Sequence, residues 1–139
     1  MAVSYTADLT LNQSRDLKNL LDNIWENVEL CPEGALGPLA AVDHGCVIGG
    51  LAFTLYPIPE PLPQADTEAL WINALAVAPG YQGNGIASHL IRNAEQQAIE
   101  AGADVLYVYT DIPGLYLKLG WQKREDYDRN MVLSKYLRD

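Results

Sequence analysis

Gly83 and Gly85, in the run Gln82-Gly83-Asn84-Gly85-Ile86-Ala87, are the residues whose type and spacing point most directly to chemistry. Pro79 and Gly80 end an apolar, strand-like stretch over 69–77, and the apolar period that begins at Ile86 is helical. Glycines at the mouth of a helix leave backbone N–H groups bare of side chains, just where the first donors of the helix lack partners. An anion seated there meets hydrogen-bond donors together with the positive end of the helix dipole. The chemistry this spacing predicts is capture of a phosphate by backbone amides. The Gly-Lys-Ser/Thr of a P-loop is missing. A dinucleotide fingerprint fits poorly: five residues including Pro79 separate Val77 from Gly83, Ser88 replaces the third glycine, and 139 residues cannot supply a second half.

The elements around this loop must hold it. Residues 69–77 are almost uniformly apolar, as in a central strand covered on both faces. A helix over 86–101 carries Leu90, Ile91, Ala94 and Ala98 in one stripe, with Gly102 as its stop, and a second apolar run follows over 105–109. Strand, loop, helix and strand make a βαβ unit with a right-handed crossover. Upstream, a strand over 3–9 precedes a helix capped at Asn12 or Ser14 that carries Leu17, Leu20, Leu21, Ile24, Trp25 and Val28. Residues 39–42 and 46–56 read as a hairpin turning at Asp43-His44-Gly45, followed by an exposed proline loop over 56–63. Asp111 and Pro113 start a short helix that Gly120 stops, and 121–123 with 129–137 close the sheet as an antiparallel pair. The expected architecture is one α/β domain spanning 1–139, with a mixed, partly parallel central sheet flanked by helices.

Gln82, Gly85 and Ala87 match the Gln/Arg-x-x-Gly-x-Gly/Ala signature of the GNAT superfamily of acyl-CoA-dependent N-acetyltransferases, and 115–121 resembles its late Tyr-x-Lys-x-Gly-Phe motif with Trp121 in place of Phe. The resemblance implies a GNAT-like fold whose parallel strand pair splays to form an acyl-CoA cleft. It implies that Gln82, Gly83, Asn84, Gly85, Ile86 and Ala87 grip the pyrophosphate of acetyl-CoA, used as co-substrate with no metal. The strand before the loop would carry a bulge, and the backbone of Leu75 and Val77 would pair with pantetheine, with an N–H near Val77 facing the developing oxyanion. Tyr116 would protonate the departing thiolate. Many members place a glutamate near Asn73. An amide cannot accept a proton, so Asn73 would orient the amine or a water, while Glu68 or Asp111 would be the acceptor. Arg92, one turn along that helix, either reaches the 3′-phosphate of the coenzyme or is a solvated helix charge. Trp25, Trp71 and Tyr56 either line an acceptor pocket or fill the core.

The composition narrows the partners. A net charge of −9 with only 9 Lys and Arg disfavours a nucleic-acid surface and suits an amine-bearing acceptor, a small molecule in preference to a protein. No apolar run reaches membrane-spanning length and the first residues lack a signal-peptide pattern, which predicts no membrane partner and a cytoplasmic location. Cys31 and Cys46 lack metal or redox spacing and are expected to be free thiols, Cys46 buried in its apolar run. His44 and His89 have no partners at metal-ligand spacing. Acceptor identity, acyl length and a homodimer stay open. So do two other functions: a coenzyme A-binding regulatory module without turnover, and an unrelated nucleotide-binding domain.

Overall fold

A computed structural model describes residues 2–58 and 68–137. The prolines at 59, 61 and 63 lie outside the described residues. The elements are β1 (Val3–Thr6), α1 (Leu11–Asp22), β2 (Leu39–Asp43), β3 (Cys46–Pro57), β4 (Glu68–Val77), α2 (Ile86–Glu100), β5 (Val105–Thr110), α3 (Pro113–Leu117), β6 (Gln122–Asp126) and β7 (Met131–Tyr136). They form one seven-stranded sheet in the order β1-β2-β3-β4-β5-β7-β6. Only β4 and β5 are parallel, joined through α2, and the remaining neighbours are antiparallel. The mixed α/β architecture expected from the sequence is therefore present.

Strand alternation sorts the core into two faces. Large side chains of the sheet (Leu39, Leu51, Phe53, Ile72, Leu106, Val108, Leu133) meet Ile86, Leu90, Ile91, Ala94 and Ala98 of α2. The opposite face presents Ala40, Ala52, Ala74 and Ala76 to Leu17 and Leu21 of α1. These small residues let α1 lie close. A Cβ on Gly50 would stand 2.6 Å from the Leu39 carbonyl oxygen and also meet Leu17, so only glycine fits there.

The structure corrects three local expectations. Thr10 caps α1, not Asn12 or Ser14: its hydroxyl accepts from the Gln13 N–H at 3.1 Å while Gln13 Oε1 accepts from the Thr10 N–H at 3.0 Å. The helix also stops at Asp22, although the apolar spacing runs on to Val28. Asp22 Oδ1 accepts the Val28 N–H at 2.8 Å and Lys18 Nζ donates to the Val28 carbonyl at 3.0 Å, folding that buried valine back and leaving Ile24 and Trp25 outside the helix. The same Val28 N–H, followed by Lys18, holds the Asp22 carboxyl below the usual range. Finally, Cys46 is exposed, because it opens β3 directly after the turn where His44 and Gly45 adopt positive φ.

Candidate active site: a cleft between diverging strands

Parallel pairing of β4 with β5 covers only Leu70↔Leu106, Trp71↔Tyr107 and Ile72↔Val108, although β4 continues to Val77 and β5 to Thr110. The divergence begins at a bulge. Ala52 pairs Ala74 while Phe53 pairs Ile72, so Asn73 is the extra residue on β4, and it is exposed. The bulge bends the strand away from β5 and opens its edge.

Which backbone groups line that edge follows from alternation. The Ala78 N–H bonds the Ile48 carbonyl on β3 at 2.8 Å, so Ala78 and Ala76 face β3 while Val77 and Leu75 turn their peptide groups toward the gap. The Val77 carbonyl, accepting from Gln82 Nε2 at 3.0 Å, confirms that direction. An extended ligand in the gap meets the edge of an unfinished sheet.

The loop after β4 aims the end of α2 into the same gap. Gly80, Gly83 and Gly85 all have positive φ, and Gly85 is the N-cap of α2 at φ 78 with no side-chain cap bond. The first amides of α2 are therefore not covered by a capping side chain. A Cβ on Gly83 would meet nothing within 4 Å, so the rim of the loop faces open space. Asn84 Nδ2 donates to the Tyr81 carbonyl at 3.1 Å, bracing the loop from within. The loop is also anchored from outside: the Tyr81 hydroxyl donates to Oδ2 of the buried Asp43 at 2.9 Å. That bond, ahead of burial, raises the Tyr81 pKa.

Two chambers occupy the gap. One, of about 470 Å³, is lined by Leu75, Val77, Gln82, Gly83, Gly85, Ile86, Ala87 and Lys118 among others. The second, of about 1090 Å³, is lined by Asn73, Asp111, Tyr116, Glu125 and the aromatic rings of Trp25, Tyr56, Trp71, Tyr109 and Tyr127. Ile24, Leu75 and Ile112 border both, so the chambers meet beside Leu75. Trp25, Trp71 and Tyr56 thus line the larger chamber, and Trp71 stacks on Tyr107 with ring centroids 5.0 Å apart.

Tyr116, on α3, is 2 % exposed, and its ring sits edge-to-face against Trp121 with centroids 5.1 Å apart. Burial raises its pKa well above the ordinary phenol range, so it keeps its proton at neutral pH. Its hydroxyl has no hydrogen-bond partner among the described residues, and the residue borders the larger chamber. A phenol that the fold does not use is available to a ligand.

The structure brings together Leu75, Val77, Gln82, Gly83, Gly85, Ile86 and Ala87 on one side and Asn73 and Tyr116 on the other. It does not bring Glu68 to them. Glu68 is exposed at the first position of β4 opposite Pro57, about 16 Å along the strand from Asn73 at a rise of about 3.3 Å per residue. Asp111 does border the cleft. Arg92 is turned to Glu95 and the Leu119 carbonyl instead of the loop. The Asp43 anchor, whose partner lies 38 positions away, and the group Glu125, Tyr127 and Asn130, carried to the cleft by the pairing of β7 with β5 and β6, were not expected from the sequence. Lys118, in the late motif, lines the same chamber as the glycine loop, a nearness that the sequence did not predict. Among the described residues no group of three or more His, Cys, Asp or Glu is placed to hold a metal ion.

The chain matches the Acetyltransferase (GNAT) family over residues 7–121. Its backbone is similar to that of the NatC complex bound to Gag peptide and CoA (TM-score 0.74, 18 % identity, 96 % of each chain covered). It is similar to Arabidopsis thaliana Naa50 in complex with a bisubstrate analogue (TM-score 0.68, 19 % identity, 97 % of this chain and 99 % of that one). An aminoglycoside 6′-N-acetyltransferase complexed with coenzyme A is also similar (TM-score 0.72, 17 % identity, 100 % and 98 %). At these identities the structural likeness establishes the fold. The chain belongs to the GNAT family of acetyltransferases, enzymes that use acetyl-CoA as co-substrate.

Proposed function

We propose that this protein transfers an acetyl group from acetyl-CoA directly to a primary amine of a small, cationic acceptor. The observation that carries the reading is the divergence of β4 from β5 opposite the uncapped amides of α2. In this account the amides of Gly83 to Ala87 hold the diphosphate, assisted by the helix dipole. The outward peptide groups of Leu75 and Val77 hold the pantetheine arm as an added strand, and one of these N–H groups faces the carbonyl oxygen where negative charge develops.

The acceptor enters the larger chamber. Among the described residues its lining includes Asp111 and Glu125 and no Lys or Arg, and its walls are aromatic, which favours a cation that presents one amine beside Asn73. The neutral amine forms a C–N bond to the acetyl carbonyl carbon while the C–S bond breaks. Tyr116 gives its phenolic proton to the leaving sulfur, and the proton shed by the amine passes through water held by Asn73 to Asp111. Thiol release from acetyl-CoA, measured against a panel of amines and matched neutral alcohols, tests this reading. Release that depends on a cationic amine supports it. Coenzyme A binding without release from any amine would leave a regulatory module instead.

A further inference from the structure

We propose that Glu95 is a positioning residue for Tyr116, acting through the indole N–H of Trp121; the inference rests on the reading of Tyr116 as proton donor. Tyr116 lies on a helix of five residues with no side-chain cap, and a segment that short cannot fix its own orientation. What holds it is a buried polar junction. Glu95, on α2, is 7 % exposed, and its Oε2 accepts the Trp121 Nε1–H at 3.0 Å. Its Oε1 accepts from Lys135 Nζ at 3.0 Å and from Arg92 Nη1 at 3.2 Å. The same two cations also bind the Leu119 carbonyl, Lys135 at 2.8 Å and Arg92 at 3.3 Å. One carboxylate therefore ties α2 and β7 to the turn that leaves α3.

The turn transmits that constraint to Tyr116 by two routes. The Tyr116 carbonyl accepts the N–H groups of Leu119 at 2.9 Å and Trp121 at 3.1 Å, which fixes its backbone. The indole of Trp121, held in place by Glu95, packs on the phenol ring at an interplanar angle of 73°. A buried carboxylate with three donors adds little net stability over an apolar residue of the same size, because desolvation offsets most of the attraction. Its directional bonds do something an apolar residue cannot: they select one position of the Trp121 ring, and with it one position of the phenol hydroxyl at the cleft.

The test is a double-mutant cycle read as kcat and KM for acetyl-CoA by thiol release. Trp121→Phe keeps an aromatic ring and removes the donor, and Glu95→Gln keeps the shape and removes the charge. Each is expected to lower kcat about tenfold, with KM for acetyl-CoA changed less than about twofold, as for a group that acts on the transition state only. In a Tyr116→Phe background the further loss should shrink to less than about twofold, because no hydroxyl remains to be placed. An equal loss in both backgrounds, or a change in KM alone, overturns the inference while leaving the acid role intact. Full turnover by Tyr116→Phe alone refutes the acid role and the inference with it. Trp121→Phe carries the cycle if Glu95→Gln does not fold.

Discussion

Replacing Tyr116 by Phe separates the proposed acid role from folding. The ring is buried and packed on Trp121, while the hydroxyl meets no protein partner among the described residues. Removing an oxygen that makes no internal hydrogen bond leaves fold stability within about 1 kcal/mol, since the desolvation cost of the hydroxyl disappears with it. General acid catalysis contributes about 10²- to 10⁴-fold, so kcat should fall at least about 100-fold, or about 2.7 kcal/mol of barrier at 1.36 kcal/mol per decade. The pH dependence carries a sign as well. Burial raises the Tyr116 pKa, so the donor stays protonated throughout the neutral range and loses its proton only above the reference value of about 10. Turnover of the unsubstituted enzyme should show no falling limb from this group below about pH 10. Because the folded pKa is raised, the stability it contributes is fully present below the unfolded pKa and is lost as pH rises toward the folded one. Thiol release at saturating acetyl-CoA, beside a thermal melt, reads both quantities. A Tyr116→Phe enzyme that retains kcat within about threefold would refute the reasoning, since that is under 1 kcal/mol of barrier.

The other predictions concern the cradle and the core. Gly83→Val places a branched side chain at φ +82, with strain of about 1–2 kcal/mol, and on the rim proposed to hold the diphosphate; calorimetry should show coenzyme A binding weakened at least about tenfold with the circular dichroism spectrum kept. Tyr81→Phe strips the buried Asp43 carboxylate of its hydroxyl donor, costing about 1–3 kcal/mol, and loosens the loop, so KM for acetyl-CoA should rise more than kcat falls. Gly50→Ala drives a Cβ into Leu17 and the Leu39 carbonyl and should destabilise the protein by about 1–3 kcal/mol in urea unfolding, with KM for acetyl-CoA unchanged.

The parts legible in the sequence are those whose signal is local. The apolar run of β4, the glycines after it and the helical stripe of α2 each declare themselves within a few residues, and the βαβ unit they predict is present. The bulge and splay were implied by the family resemblance, and the pairing register places them at Asn73 and beyond Ile72. What stayed hidden depends on distant partners. The apolar period of α1 continues through Ile24, Trp25 and Val28, but Asp22 and Lys18 capture the Val28 backbone and end the helix. Asp43 and Tyr81 stand 38 positions apart, Glu95 and Lys135 40 apart, and no local pattern couples them. Glu68 shares a strand with Asn73, yet an extended chain carries the two far from each other.

Co-crystallisation with acetyl-CoA tests the central claim most directly. Diphosphate oxygens are expected at about 3 Å from the backbone nitrogens of Gly83 to Ala87, with the pantetheine arm hydrogen-bonded along Leu75 and Val77. A diphosphate seated elsewhere, or a pantetheine arm lying outside the gap between β4 and β5, would contradict it.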